Sequence, residues 1–287
     1  LNGKSQPSKG PLTEPFHISA KLDHVVLREG VNIAPFAVDV SGVGDRPQVL
    51  SMSGTMKSAT LGANLATDNG TRQIKFNTND AGQLIKGMFG LTSIHGGNMD
   101  VAVQLSPPPG KNATPIDYTG SIVIRDFKVT NQPFLARLFS AASIIGFVDL
   151  LRGQGISVDR LQVPFTMHGG VLDIHDARAT GPSLGITADG YLDRRSNQIA
   201  LEGALAPLST INSVLGAIPL VGDVLVSKKG EGVIGMSYAV NGDADEPKIS
   251  VNPLSVLTPG IFRRIFEGTP HAPPAEANTN PAQPKGP

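Results

Sequence analysis

The stretch Leu161-Gln-Val-Pro-Phe-Thr-Met-His-Gly-Gly-Val-Leu-Asp-Ile-His175 decides the fold class. Leu161, Val163, Phe165 and Met167 alternate with Arg160, Gln162, Pro164 and Thr166, which reads as a strand with one apolar face. Gly169 and Gly170, taken as a two-residue hairpin loop, pair Met167 with Leu172 and Phe165 with Ile174. All four then share one face, so pattern and turn agree on a single register.

The same alternation recurs outward from this hairpin. Met99, Val101, Val103 and Leu105 alternate with Asn98, Asp100, Ala102 and Gln104. Further strands are expected at Phe16 to Val26, Phe36 to Val40, Leu61 to Leu65, Ile74 to Phe76, Ile122 to Val129, Leu184 to Ala188, Ile199 to Leu201 and Ile234 to Val240. Gly, Asn and Asp between them suit tight turns. Four stretches break the pattern and read as helical: Asp80 to Phe89, Pro133 to Leu151, Leu208 to Val226 and Leu254 to Phe266. In the second, Leu135, Leu138, Phe139, Ala142, Ile145 and Val148 recur at spacings of three and four, with Pro133 near the start and Gly153 past the end. Residues 1–13 form a polar lead-in rich in Pro and Gly, and residues 268–287 a tail of Pro, Ala and Asn with the composition of a disordered segment. With Leu1 in first place and no secretory apolar region, the expectation is a processed chain or a fragment.

Composition removes several functions. The chain has 287 residues, with 24 Lys and Arg against 24 Asp and Glu. Such balance disfavours a nucleic-acid partner, because binding to phosphates needs a basic surplus. The absence of Cys excludes disulfides, thiolate metal sites and cysteine nucleophiles. The 33 Gly and 23 Pro favour many short strands over a helical bundle. Between Glu202 and Asp223 lies an uncharged stretch, Gly203 to Gly222, long enough to cross a bilayer. Its Ser209, Thr210, Asn212, Ser213 and two prolines argue against insertion. Leu138 to Val148 is too short to cross.

Candidate chemistry fails on context. Gly230, Gly232 and Gly235 satisfy the dinucleotide spacing, but an alternating strand follows where a helix is required. His168, Asp173 and His175 share a flat polar strand face, which seldom converges ligands on one ion. Asp243, Asp245 and Glu246 start like a calcium loop that Pro247 and the missing spaced Glu break. No G-x-S-x-G or Cys/His pair occurs. The sequons at Asn69 and Asn112 matter only in a eukaryotic secretory setting. No catalytic residue, metal or cofactor is expected.

The order of motifs resembles the C-terminal region of the AsmA-like proteins of Gram-negative bacteria, in the YhdP-like branch. The likeness rests on Asp80-Ala-Gly-Gln-Leu-Ile-Lys-Gly-Met-Phe-Gly90, on Phe127 followed by Asn131-Gln-Pro-Phe-Leu-Ala-Arg-Leu-Phe-Ser140, and on Gly181-Pro-Ser-Leu-Gly185. It is most specific at the end, in Asn212-Ser-Val-Leu-Gly-Ala-Ile-Pro-Leu-Val-Gly222 and in Glu246-Pro-Lys-Ile-Ser-Val-Asn-Pro-Leu-Ser-Val-Leu-Thr-Pro-Gly260 with Phe262-Arg-Arg-Ile-Phe266. It spans residues 14 to 267. Ser209 departs from the pattern, standing near where an aromatic is expected.

The resemblance implies a mainly β protein with short helical insertions, its twisted sheet curled into an open groove. It implies a non-enzymatic periplasmic module that carries phospholipids in outer-membrane biogenesis, anchored to the inner membrane by an N-terminal segment that this chain lacks. A sixteen-carbon acyl chain free in water costs about 12 kcal/mol at roughly 0.8 kcal/mol per methylene, and an apolar floor removes most of that. Candidate groove contacts are Val101, Val103, Leu161, Val163, Phe165 and Ile234, although any buried core face shows the same stripe. Phe262, Arg263, Arg264 and Phe266 are candidates for a membrane surface or an end cap. The rival reading is an assembly factor that binds outer-membrane or periplasmic proteins through exposed strand edges and carries no lipid.

Overall fold

The computed structural model describes residues 14–28, 31–43, 46–57, 59–68, 71–105, 118–207 and 235–252. The protein is mainly β, with one large antiparallel sheet that does not close into a barrel. In chain order the sheet takes β1 (Pro15–Leu22), β4 (Phe36–Val43), β5 (Arg46–Met56), β6 (Ala59–Asp68), β7 (Thr71–Thr78), β8 (Ile94–Leu105), β9 (Tyr118–Val129), β10 (Ile156–His168), β11 (Val171–Thr180), β12 (Leu184–Asp193), β13 (Gln198–Pro207), β14 (Met236–Asp243) and β15 (Lys248–Asn252). Each strand of the sheet pairs with the next sheet strand in chain order, so the sheet is a meander; among the described strands only β2 (Val25–Arg28) and β3 (Val31–Ile33) leave it, as a separate hairpin. Strands spaced about 4.8 Å apart make this 13-stranded sheet roughly 58 Å wide.

The deciding hairpin has the expected register. Met167 faces Leu172 and Phe165 faces Ile174. Gly169 and Gly170 both have positive φ, 55° and 90°, which a primed two-residue turn demands and which side chains resist. Farther from the turn the register shifts by one between the Phe165–Ile174 and Gln162–Arg178 pairs, with the extra residue on β11. The apolar positions of β11 change phase there, from Leu172 and Ile174 to Ala177 and Ala179.

Antiparallel partners share a face, so the ladders place one apolar row across every strand of the sheet. It runs Ile18, Val40, Leu50, Leu65, Ile74, Val103, Gly120, Phe165, Ile174, Gly190, Leu201, Val240 and Ile249. A second row on the same face, nearer the opposite strand ends, includes Leu61, Met99, Ile124, Leu161, Ile186, Leu205 and Met236. The other face carries small and polar side chains with cross-strand charge pairs. Arg125 Nη1 donates to Asp100 Oδ2 at 2.6 Å, and His17 Nε2 lies 2.9 Å from Asp39 Oδ2.

The three helices among the described residues and the β2–β3 hairpin leave from the second-row end of the sheet. Pro207 and Met236, which bracket residues 208–234, lie at that end too. Helix α1 (Ala81–Phe89) starts at the Asp80 cap, whose side chain accepts from the Gln83 amide, and stops at Gly90 in the left-handed conformation. Helices α2 (Pro133–Ala141) and α3 (Ile145–Arg152) stand where one helix was expected. Pro133 starts the pair and Gly153 ends it, but Ser143 takes φ 58° between them. The break turns Phe147, Val148 and Leu151 inward and leaves Ile145, a member of the expected apolar stripe, 71% exposed. Leu138 and Phe139 are fully buried, and the Phe139 and Phe147 rings meet at 5.5 Å.

Other boundaries differ from expectation. Phe16 to Val26 is not one strand, because the chain leaves the sheet after Leu22 to form the hairpin that packs against α1. The uncharged stretch begins as strand, since Gly203–Pro207 completes β13. No helix among the described residues is long and apolar enough to cross a membrane. The expected helices at 208–226 and 254–266, the lead-in and the tail lie outside the described residues.

Candidate functional site: the turn end of the apolar face

The apolar face has two ends with different cover. At the helical end, Met99, Ile124, Phe127, Val129 and Ile156 are buried in one cluster with Leu138, Phe139, Phe147 and Leu151. At the turn end, Val40, Leu50, Ile74, Val103, Phe165 and Ile174 are only half-buried, and Ile18 on edge strand β1 is 56% exposed. Two members of the turn-end row, Leu65 and Val240, are buried.

Five of the six residues proposed from the sequence as groove contacts fall together across β8, β9 and β10. Val101 faces Ile122, which faces Val163; Val103 faces Gly120, which faces Phe165; Leu161 sits beside Ile124. Val101 and Leu161 pack against the buried cluster, whereas Val103, Val163 and Phe165 lie beyond it toward the turns. Gly120 matters to this floor. A Cβ there would stand 2.6 Å from Phe165 Cζ, so only glycine lets the ring lie flat across β9. Tyr118 meets the same ring edge-on at 6.4 Å. Ile234, Phe262, Arg263, Arg264 and Phe266 lie outside the described residues.

The sequence reading missed Arg72. By register it stands on the apolar face, opposite Leu105 and two residues before Ile74, near the turn end of β7. Its Nη2 donates to the Pro47 carbonyl at 2.6 Å, reaching across β6 to β5, and its Nε is buried with no partner among the described residues. Extending the alternation of Phe76 and Ile74 back by two positions would have found it. The isolated reading of Ile74 to Phe76 stopped short.

Elsewhere the polar groups are engaged locally. β8, β9 and β10 share a kink, with Gly96, Gly97 and Asp126 at positive φ and both ladders in register across it. An open cleft of about 480 Å³ there is lined by His95, Asp126, Lys128, Ser157 and Asp159 among others. His95 Nε2 is 2.6 Å from Thr130 Oγ1, a contact that engages one of its ring nitrogens. His168, Asp173 and His175 do not form a metal-binding group, nor does any cluster of three such side chains among the described residues. Tyr238 donates to the Thr187 carbonyl at 2.6 Å, and burial raises its hydroxyl pKa above the usual range. Asp193 is held down at about 2, first by the Arg195 backbone amide and then by its side chain.

The described residues of this face make a broad, largely aliphatic surface. Comparison with protein-family models, with curated proteins and with solved structures found no match to this chain.

Proposed function

We propose that this protein is a lipid-transfer module of the AsmA-like kind, working in the periplasm, in which the turn end of the apolar face shelters acyl chains while head groups stay in water. The observation that carries the reading is the apolar row itself. Every described strand of the large sheet contributes an aliphatic, aromatic or glycine residue to it, and the buried cluster that holds the described helices takes in most of the neighbouring row but leaves Val40, Leu50, Ile74, Val103, Phe165 and Ile174 half-buried. A face meant solely as core would be roofed along its whole length, because half-exposed aliphatic surface gives up roughly 25 cal/mol per Å².

A curled groove is part of this proposal. Helix α2 is inserted between β9 and β10, yet it packs against β15, five strands beyond β10 in the sheet. On a flat sheet that separation is about 24 Å, and α2, with 9 residues, is about 13 Å long. Bending toward the apolar face brings the two together. Non-directional contact suits a cargo whose tails vary, and needs no catalytic group.

The test is transfer of a fluorescent phospholipid between donor and acceptor vesicles. Val163→Asp places a carboxylate on the floor and is expected to stop transfer while the circular dichroism spectrum stays unchanged. Undiminished transfer by this variant contradicts the proposal. The rival assembly function draws on one observation, the outer edge of β1, which pairs with no other strand among the described residues and where Ile18 and Leu22 are 56% and 46% exposed. It predicts that blocking β1, and not Val163→Asp, abolishes activity.

A further inference from the structure

We infer that Arg72 is an anion-binding residue within the apolar face, so that the site takes an amphiphile with an oxyanion head, phosphodiester or carboxylate, in preference to a neutral one. The inference rests on the acyl-binding reading above and adds a polarity to it. Arg72 sits among aliphatic neighbours, with Ile74 two residues along its own strand and Leu105 directly opposite. Among the described face positions of β4 to β15, every other side chain is uncharged. A guanidinium in such a place loses hydration and must recover it from a partner.

The partner is incomplete. The Pro47 carbonyl takes one N–H, and no carboxylate lies in ion-pair range of Arg72 among the described residues. Arg178 supplies the contrast: its Nε is likewise without a partner, but its charge is met by Asp176 at 3.5 Å. Among the described residues, one neutral acceptor answers the positive charge of Arg72. A guanidinium presents its donors in a planar fork that fits phosphate and carboxylate oxygens. An oxyanion seated there would leave its acyl chain beside Ile74 and Val103, directly on the apolar row.

Two probes of equal chain length decide this with the full chain: pyrene-labelled hexadecanoate and pyrene-labelled hexadecanol, each titrated at 50 and 500 mM NaCl. The acid is expected to bind about tenfold tighter than the alcohol at low salt, the yield of one charge-assisted hydrogen bond. That preference is expected to shrink at high salt. Arg72→Gln should remove it and leave the alcohol unaffected, while Arg72→Lys should keep part of it. If the alcohol binds and the acid shows no advantage, or if Arg72→Gln leaves the advantage intact, the anion inference is overturned and the acyl reading stands. If neither probe binds, both fall. Displacement of the acid by equimolar inorganic phosphate marks a free-phosphate site and also overturns the amphiphile assignment.

Discussion

The helical end and the turn end of the apolar face are written in the same code and are buried to different degrees. Met99 and Val103 belong to one strand, one face and one alternation, yet Met99 is 7% exposed under the helices while Val103 is only half-buried. Side-chain type does not separate them. What differs is cover, and cover is supplied by helices inserted between strands at one end of the meander and absent from the described turns at the other. An amphipathic strand reports that one face avoids water; what it meets instead depends on segments far away in sequence.

The largest effect that could break the comparison is in stability. Phe139→Ala removes a fully buried ring under the helices and is expected to cost about 3–5 kcal/mol in urea denaturation. Phe165→Ala at the turn end should cost less than half as much. Equal costs would mean that the turn end is core after all.

A smaller effect concerns Tyr238, which lies at the covered end of the C-terminal strands. Tyr238→Phe strands the Thr187 carbonyl and should cost about 1–3 kcal/mol. Burial raises the pKa of this hydroxyl, so the folded state holds its proton more tightly than the unfolded chain. The stability this contributes is complete below the ordinary value of 10.0 and falls as pH rises above it. Ultraviolet titration should therefore find one tyrosine that resists ionisation until the fold is lost.

The smallest effect lies in the turn after β12. Asp193 should titrate by NMR near 2, below its ordinary 3.8. Its contribution to the turn is present above 3.8 and is lost as pH falls through about 2. Arg195→Ala should bring the midpoint only part of the way back, since the backbone amide is the larger cause. A return all the way to 3.8 would assign the shift to the side chain instead.

Much of the fold was legible because its strands alternate cleanly. The Gly169-Gly170 hairpin, the Asp80 cap of α1 and the Pro133 and Gly153 limits of the helical pair follow from local chemistry. β5 was missed although Leu50, Met52 and Met56 alternate with Ser51, Ser53 and Thr55, since Pro47 and three small polar residues weaken its strand propensity. The Ser143 break went unread because a periodic apolar stripe continues across it. Of the site, the floor of β8 and β10 was visible and Ile122 between them was implied. Arg72 was not found, because a single charged residue on an apolar face looks like a strand end until the register is fixed.

The central claim is that the turn end meets lipid and the helical end meets protein. A photo-crosslinking residue placed at Val103, at Phe165 and, as the covered control, at Phe139 tests it directly, with phospholipid vesicles present and adducts identified by mass spectrometry. The account predicts phospholipid adducts at Val103 and Phe165 and only intramolecular adducts at Phe139. Protein adducts alone at the two turn-end positions, or lipid at all three alike, would contradict it.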